Sequence, residues 1–168
     1  VKPVIYVANL DEDGMADYAG NANFKALSAI AEAQGAAVLP VAAKFEEDIS
    51  GMEPDEAEMF MADLGLTETG LDRLIKTSYD LLGYISFLTA GEDDVHAWTI
   101  VRGTKAPKAA GKIHTDIERG FIRAEIVAFE DLKACGSVAA AKEKGLFRLE
   151  GKDYVMQDGD VTNFRFNV

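Results

Sequence analysis

The sequence predicts an α/β segment followed by an α+β domain of short strands and short helices. Val4–Ala8 (VIYVA) is a short, continuous apolar run rich in β-branched residues, which is typical of a strand buried on both faces of a parallel sheet. Ala36–Ala42 (AAVLPVA) is a second run of this kind, and a helical pattern separates the two. From Tyr84 onwards the period changes, and short strands alternate with short helices, which favours an α+β roll.

The first predicted helix lies between the two apolar runs. Phe24, Leu27 and Ile30 recur at helical spacing within Asn23–Gln34, and Gly35 is placed to end that helix. A strand, a helix and a second strand at this spacing predict a parallel βαβ unit. The other elements predicted in this part are a polar turn and two helices, at Asn9–Gly14, Pro54–Leu64 and Gly70–Leu82.

The second half is predicted to contain several short elements. Thr115 and Glu118 fit a capping box, which places Thr115 at the N-cap of a short helix. Asp158–Asp160 is predicted to be the hairpin turn that joins the last two strands. The predicted strands are Tyr84–Thr89, Ala97–Arg102, Glu125–Phe129, Tyr154–Gln157 and Val161–Phe166, and a further helix is predicted at Val138–Lys144.

Composition excludes some classes of function. The 168 residues carry a formal net charge of −12, which argues against unselective binding, so neither a DNA partner nor a membrane partner is expected. Cys135 is the only cysteine, which excludes an internal disulfide and favours a cytoplasmic location. No apolar run reaches the roughly 18 residues of a transmembrane helix. Because the chain starts at Val1 and enters a strand almost at once, we expect it to belong to a longer protein.

The first candidate site follows the strand Val4–Ala8 and comprises Asn9, Leu10 and Glu12. Ligands of open α/β sheets bind beyond the carboxyl ends of the strands. An amide there offers a donor beside an acceptor, which suits a purine edge, whereas a carboxylate only accepts. The pattern is similar to the N-K-x-D base-recognition motif of GTPases, with Leu10 for the lysine and Glu12 for the aspartate. Guanine selectivity therefore stays open, and a plain polar turn is the alternative.

Two neighbouring patterns bear on this site. Residues 11–14 (DEDG) also fit the D-x-x-G switch motif, which competes for the same turn. Pro40–Lys44 looks like the S-A-K loop that closes over the base in GTPases, with Ala42 in place of the serine. The order of motif, helix, strand and A-A-K favours base recognition. Because alanine replaces the serine, only the backbone groups of Ala42 and Ala43 are left to contact a base.

A glycine- and lysine-rich stretch, residues 103–116 (GTKAPKAAGKIHTD), raises the question of a phosphate-binding loop. The G-x-x-x-x-G-K-[ST] motif needs glycine where Ala106 stands and a hydroxyl where Ile113 stands, so the match fails. The stretch is predicted to be a strand-to-helix turn. Because phosphoryl transfer depends on phosphate cradling and Mg²⁺, this chain alone is predicted not to hydrolyse nucleotides, and no catalytic residue is assigned.

The second candidate site is a basic cluster around this stretch. Its members are Arg102, Lys105, Lys108, Lys112, Arg119 and Arg123, with His114 among them and Arg148, Lys152 and Arg165 as an extension. Positive charge on a turn-and-helix surface suits phosphate contacts to RNA. The alternative is a set of solvated surface charges.

The histidines do not indicate a metal site. Neither His96 nor His114 has a cysteine or a second histidine at ligand spacing, so no zinc is expected, and His114 is interpreted as a structural residue beside a helix N-cap. Adjacent carboxylates point apart and do not suit acid–base chemistry; these pairs are Glu46–Glu47 and Asp93–Asp94.

Four stretches together resemble a known family; they read KPVIYVANLDE, LLGYISFLTAG, HAWTIVRGTKAPKAAGKIHTDIERGFIRAEIVAFEDL and LEGKDYVMQDGDVTNFRFNV. They are similar to the carboxyl-terminal half of the YchF subfamily of Obg-related P-loop NTPases, the Obg-like ATPases. The resemblance implies that residues 1–50 are the end of a G domain and residues 51–83 a helical connector. It also implies that residues 84–168 form a TGS domain, which has a β-grasp (ubiquitin-like) fold.

The resemblance carries functional expectations as well. Asn9, Leu10, Glu12, Ala42 and Ala43 would form the altered base-recognition site. ATP or GTP with Mg²⁺ would bind in a full-length parent but not to this chain alone, because the P-loop, the switch regions and the Mg²⁺ ligands of the family are absent here. The basic cluster would bind the ribosome or RNA in the cytoplasm. The alternative is a stand-alone TGS-type module that binds RNA or protein and has no nucleotide function.

Overall fold

The structure is a computed structural model that describes residues 2–91 and 94–167, and the chain divides between Leu82 and Gly83 into two compact units. The first unit contains β1 (Ile5–Asn9), α1 (Glu12–Ala16), α2 (Ala22–Ala33), β2 (Ala37–Val41), α3 (Ala43–Ile49), α4 (Pro54–Asp63) and α5 (Gly70–Leu82). The second unit contains β3 (Tyr84–Ala90), β4 (Val95–Val101), α6 (Ala106–Ile113), α7 (Thr115–Arg119), β5 (Phe121–Ala128), α8 (Phe129–Cys135), α9 (Val138–Glu143), β6 (Arg148–Glu150) and β7 (Asp160–Phe166).

The first unit is built on a parallel pair of strands, as the sequence predicts. β1 and β2 pair in parallel, with Asn9 opposite Val41 at their carboxyl ends. The connecting helix α2 begins where Asn21 Oδ1 accepts hydrogen bonds from the backbone N–H groups of Asn23 and Phe24, at 2.9 and 3.1 Å. It ends before Gly35, whose φ of +64° is readily adopted only by glycine.

Helix α5 is held at its start by the Thr69 hydroxyl and the Glu46 carboxylate. Thr69 Oγ1 accepts a hydrogen bond from the backbone N–H of Asp72 at 3.0 Å, and the Asp72 carboxylate accepts one in return from the Thr69 hydroxyl at 2.8 Å. Glu46 Oε1, from α3, accepts a hydrogen bond from Gly70 N at 2.5 Å. These acceptors satisfy N–H groups that the first turn of a helix leaves without intrahelical partners.

The second unit is a mixed five-stranded sheet in the order β4-β3-β7-β5-β6. The β3–β7 pair is parallel, and the other pairs are antiparallel. Helix α6 covers one face of this sheet through Ala106, Ala109 and Ala110, all fully buried. Small alanines let the helix approach closely over Phe87 and Ile126, which are also fully buried.

Three helices replace predicted turns or loops. α1 begins within the predicted polar turn and continues past it, and Asp11 Oδ1 caps it by accepting from Gly14 N at 2.8 Å. α3 begins at Ala43, inside the predicted A-A-K loop. α6 occupies most of the stretch predicted to be a strand-to-helix turn, and Pro107 in its first turn supplies the fixed φ that suits a helix start.

The predicted hairpin at the carboxyl end is wrong. Residues 154–157 form no strand, and Val155 makes one isolated bridge to Lys105. β7 instead pairs with β3 and β5. The turn before it is tied to β3, because Asp158 Oδ1 accepts from Ser86 N at 2.8 Å and Gly159 N donates to Ser86 O at 2.8 Å. A turn pattern predicts a change of direction but not the strand that follows it.

The strand predicted at 125–129 is longer and begins earlier. β5 runs from Phe121 to Ala128, and Phe129 begins helix α8, which is not among the predicted elements. β5 also carries an irregularity between Phe121 and Arg123. Buried and exposed residues therefore do not alternate cleanly there, which removes the signal that would have marked the strand.

Replacing Gly120 by alanine should lower the free energy of unfolding by about 1–3 kcal/mol, the usual range for overpacking. A Cβ at this position would lie 2.2 Å from the backbone oxygen of Asn167, and the φ of −88° shows that space, not conformation, requires the glycine. Urea unfolding measures the change. Gly151→Ala is the matched control, since nothing lies within 4 Å of its added Cβ, and an equal loss in both variants would contradict the packing explanation.

Candidate functional site

The first candidate site lies at the carboxyl ends of β1 and β2. Asn9 Oδ1 accepts a hydrogen bond from Ala43 N at 3.1 Å, although the two residues are 34 positions apart in the chain. Leu10 N donates to Val41 O at 2.8 Å, which holds the turn after β1 against the end of β2. The structure therefore brings Asn9 and Leu10 next to the A-A-K segment.

Side chains at this site differ in accessibility. Asn9 and Glu12 are exposed, whereas Leu10 is half-buried and packs against the apolar cluster of Met15, Ala42 and Phe45. Because Asn9 Oδ1 is taken by Ala43 N, the amide group left to meet a ligand is the donor Nδ2. Asp11 is occupied as the cap of α1. The site thus offers one amide donor and the Glu12 carboxylate as an acceptor.

The second candidate site, the predicted basic cluster, is only partly brought together. Lys105 precedes α6, Lys108 and Lys112 lie on α6, and Arg119 ends α7. Arg123 lies on β5 beside Ala124, which is fully buried under α6, so Arg123 is on the opposite face of the sheet. Arg123 therefore does not join the lysines of α6. Arg102 follows β4 and is exposed.

Carboxylates neutralise much of this cluster. Lys105 Nζ lies 2.7 Å from Asp153 Oδ1, Arg119 Nη1 lies 3.8 Å from Asp116 Oδ1, and Lys108 forms an ion pair with Glu118. In the described part of the chain, Lys112 has no carboxylate within 4 Å. It is the lysine of α6 whose charge is most available to a ligand.

The proposed extension of the cluster is also internally paired. Arg148 Nη2 lies 3.3 Å from Asp160 Oδ1, and Arg165 Nε lies 3.0 Å from Glu125 Oε1. The hydrogen bond from Arg165 holds the pKa of the Glu125 carboxyl below its ordinary value. Lys152, the third residue of the extension, is exposed. These partners are not predictable from the sequence, because they lie on other strands and no spacing rule links them.

His114 is a capping residue, as its structural interpretation implied, but the predicted capping box is wrong. His114, not Thr115, is the N-cap of α7, and its Nδ1 accepts from Asp116 N at 3.2 Å. Among residues 2–91 and 94–167, no three metal-ligating side chains form a group that could hold an ion. In the same ranges, no helix combines the length and the apolar character needed to cross a bilayer. Asp93, of the predicted carboxylate pair, lies outside the described residues.

A family model matches residues 84–167; it is YchF-GTPase_C, described as "Protein of unknown function (DUF933)". The match covers the second unit and half of the chain. The chain belongs to the YchF-GTPase carboxyl-terminal family.

Proteins named for YchF or Obg-like ATPase align with nearly the whole chain. "Ribosome-binding ATPase YchF" of Bacillus subtilis is 56% identical over 99% of the chain, which spans 46% of that relative. The protein of the same name from Escherichia coli O157:H7 is 48% identical over 100% of the chain, again 46% of the relative. "Obg-like ATPase 1" of Oryza sativa subsp. japonica is 44% identical over 99% of the chain and 42% of the relative. The chain spans less than half the length of these relatives.

Two solved structures share the mixed α/β fold. The Schizosaccharomyces pombe YchF GTPase matches with a TM-score of 0.83 and 36% identity, over 98% of this chain and 43% of that one. A GTP-binding protein from Pyrococcus horikoshii OT3 matches with a TM-score of 0.64, and its 22% identity supports the fold alone.

Proposed function

We propose that this chain is the carboxyl-terminal part of a cytoplasmic, ribosome-associated protein that binds and hydrolyses ATP or GTP. The observation that supports this most strongly is the alignment of nearly the whole chain with proteins named "Ribosome-binding ATPase YchF". The sequence carries no P-loop, so the phosphates and Mg²⁺ would bind to other parts of such a protein. Purified alone, this chain should show no ATPase rate above background.

We propose that the chain has three functional parts. Residues 1–50 are the end of a G domain, which is supported by the parallel β1–β2 pair with its candidate site at the carboxyl ends. Residues 51–83 connect it to a TGS domain of β-grasp fold at 84–168. A parallel central pair, β3 and β7, between antiparallel neighbours, with α6 across one face, supports that assignment.

Base recognition is assigned to Asn9, Leu10, Glu12, Ala42 and Ala43. The Ala43 N–H fixes the orientation of the Asn9 amide, which then presents Nδ2 to the purine N7 acceptor. Adenine and guanine both carry N7, so this contact does not choose between ATP and GTP. Glu12 accepts from the donors of the base, and Leu10 packs below as an apolar support.

In a protein that joins this chain to the P-loop half of a YchF relative, Asn9→Ala should weaken ATP and GTP binding alike. The expected loss is about 1 kcal/mol, one hydrogen bond, or about fivefold in Kd. Calorimetric titration with each nucleotide measures it. Asn9→Asp is the sharper variant, because it keeps an acceptor for Ala43 N and replaces the Nδ2 donor by a negatively charged acceptor oxygen. Unchanged affinity in Asn9→Asp would contradict base recognition by Asn9.

A second candidate function is a binding module, in which residues 84–168 dock on ribosomal RNA without any use of nucleotide. The observation that favours it is Lys112, exposed on α6 without a carboxylate partner among the described residues, beside Lys105 and Lys108. Lysines in this arrangement contact phosphates in a way that weakens with salt.

Replacing Lys105, Lys108 and Lys112 by alanine should weaken binding to ribosomes about tenfold or more at low salt and flatten its salt dependence. Co-sedimentation of the chain with ribosomes over a salt series measures both quantities. Lys133→Ala on α8 is a control that removes a lysine from another helix of the same unit. If the wild-type chain fails to bind at any salt concentration, this second function is ruled out.

A further inference from the structure

Strand β4 forms one edge of the five-stranded sheet, and its composition is unusual for an edge. It pairs with β3 along all seven residues, and no strand of the described residues pairs on its other side. Its sequence, VHAWTIV, contains no proline, lysine or carboxylate. Such residues normally protect a sheet edge from pairing with another chain. β4 lacks them, and Val95 and Val101 are 70% and 56% exposed.

Two backbone hydrogen bonds define which residues of β4 face outward. Arg102 N donates to Gly83 O at 2.7 Å, and Gly91 N donates to Asp94 O at 2.8 Å, so even-numbered positions bond towards β3. In an antiparallel pair, successive residues direct their backbone groups to opposite sides. Val95, Ala97 and Val101 therefore direct their N–H and C=O groups away from β3, towards the edge of the sheet.

We propose that β4 pairs in antiparallel fashion with β4 of a second copy of this chain, about a two-fold axis at Trp98. An antiparallel ladder needs outward-facing residues opposite each other. A centre at Trp98 meets this condition along the whole strand. It places Val95 opposite Val101 of the second copy. The result is a continuous ten-stranded sheet, with exposed valines packed against each other on the face opposite α6.

Charge at the ends of the strand selects this register and favours a second copy as the occupant. Asp94 precedes β4 and Arg102 follows it, so the same axis places Asp94 opposite Arg102 of the second copy at both ends. The segment from Asp94 to Arg102 is complementary to itself in backbone pattern, apolar side chains and charge. This assembly is additional to the proposed nucleotide and ribosome functions and depends on neither.

Sedimentation equilibrium of the 168-residue chain tests the proposal. The mass should rise from 18.1 kDa towards twice that value as concentration increases. Interfaces of one strand pair are small, so the series should extend from about 1 µM to about 1 mM. A mass that stays at the monomer value over the whole series would overturn the proposal.

Variants of β4 test the edge itself. Ala97→Pro removes an outward N–H without touching the bonds to β3, and Val101→Lys places a charge where the valines meet. Each should raise the dimer Kd about tenfold or more. Leu149→Lys is the control, on β6 at the other edge of the sheet, and should leave the Kd unchanged. Circular dichroism shows whether each variant keeps its fold, and Val101→Lys decides the matter if Ala97→Pro does not fold.

A charge reversal tests the register. Asp94→Arg places like charges opposite each other at both ends and should weaken the dimer, whereas Asp94→Arg with Arg102→Asp should restore it. Weakening without restoration would overturn the register centred on Trp98. Loss of dimer in the Leu149→Lys control would overturn the assignment to β4.

Discussion

Asp160→Ala is expected to lower the free energy of unfolding of the second unit by about 2–4 kcal/mol. Asp160 is only 1% exposed and accepts hydrogen bonds at 2.9 Å from both the Tyr154 hydroxyl and Gln157 N. Its other oxygen lies 3.3 Å from Arg148 Nη2. Alanine leaves these donors without their acceptor in a site that water barely reaches. Removing one member of a buried hydrogen bond destabilises a protein more than removing both members, because the remaining group is left unsatisfied.

Urea unfolding followed by the fluorescence of Trp98 measures this effect, because Trp98 is the only tryptophan and lies in the second unit. Tyr154→Phe removes one donor to Asp160 and one acceptor of Arg148, but it leaves the Asp160 carboxylate in place and should lose only about 1 kcal/mol. Asp153→Ala is the matched charge control, since that carboxylate is 94% exposed and its ion pair with Lys105 adds little. Equal losses in Asp160→Ala and Asp153→Ala would contradict the role of burial.

The buried Asp160 shows what the sequence could not predict. Asp158–Asp160 has the composition of a hairpin turn, and composition alone does not distinguish an exposed turn carboxylate from a buried one. The difference comes from β7, which pairs with β3 and β5 and carries Asp160 into the sheet. Contacts between residues far apart in the chain decide such a case, whereas the parallel β1–β2 pair follows from local apolar runs and was predictable.

The proximity of Asn9 to the A-A-K segment was predictable to a larger extent. Parallel strands end at the same edge of a sheet, so a polar residue at the carboxyl end of β1 had to lie near the start of the segment after β2. The contact between Asn9 Oδ1 and Ala43 N is the atomic form of that rule. The orientation of the amide was not predictable, because it depends on which group of the second segment points at Asn9.

The basic cluster was less predictable, because its neutralising partners come from other elements. Lys108 pairs with Glu118 on the next helix, a pair set by the angle between α6 and α7 rather than by spacing along one helix. Gly111, which suggested a phosphate-binding loop, has a packing role instead. A Cβ there would lie 2.1 Å from Glu118 Oε2, so the glycine makes room for the α7 side chain against α6.

Phe87→Ala is expected to destabilise the second unit by about 3–5 kcal/mol, the range for deleting a buried aromatic ring. Phe87 is completely buried, its ring centroid lies 5.8 Å from that of Phe164 in an edge-to-face arrangement, and it stacks at 6.4 Å on Trp98. The fully buried alanines of α6 already bring the helix backbone close to the sheet. The helix therefore has little room to move into the cavity that the ring would leave.

Urea unfolding measures the loss, with circular dichroism beside fluorescence because the deletion also changes the surroundings of Trp98. Phe87→Leu keeps most of the apolar volume and should lose about 1–2 kcal/mol, since it avoids most of the cavity. Phe129→Ala removes a phenylalanine that is 44% exposed in the same unit and should lose less than Phe87→Ala. If Phe87→Ala lost no more than Phe129→Ala, the interface between α6 and the sheet would not be the stabilising core of this unit.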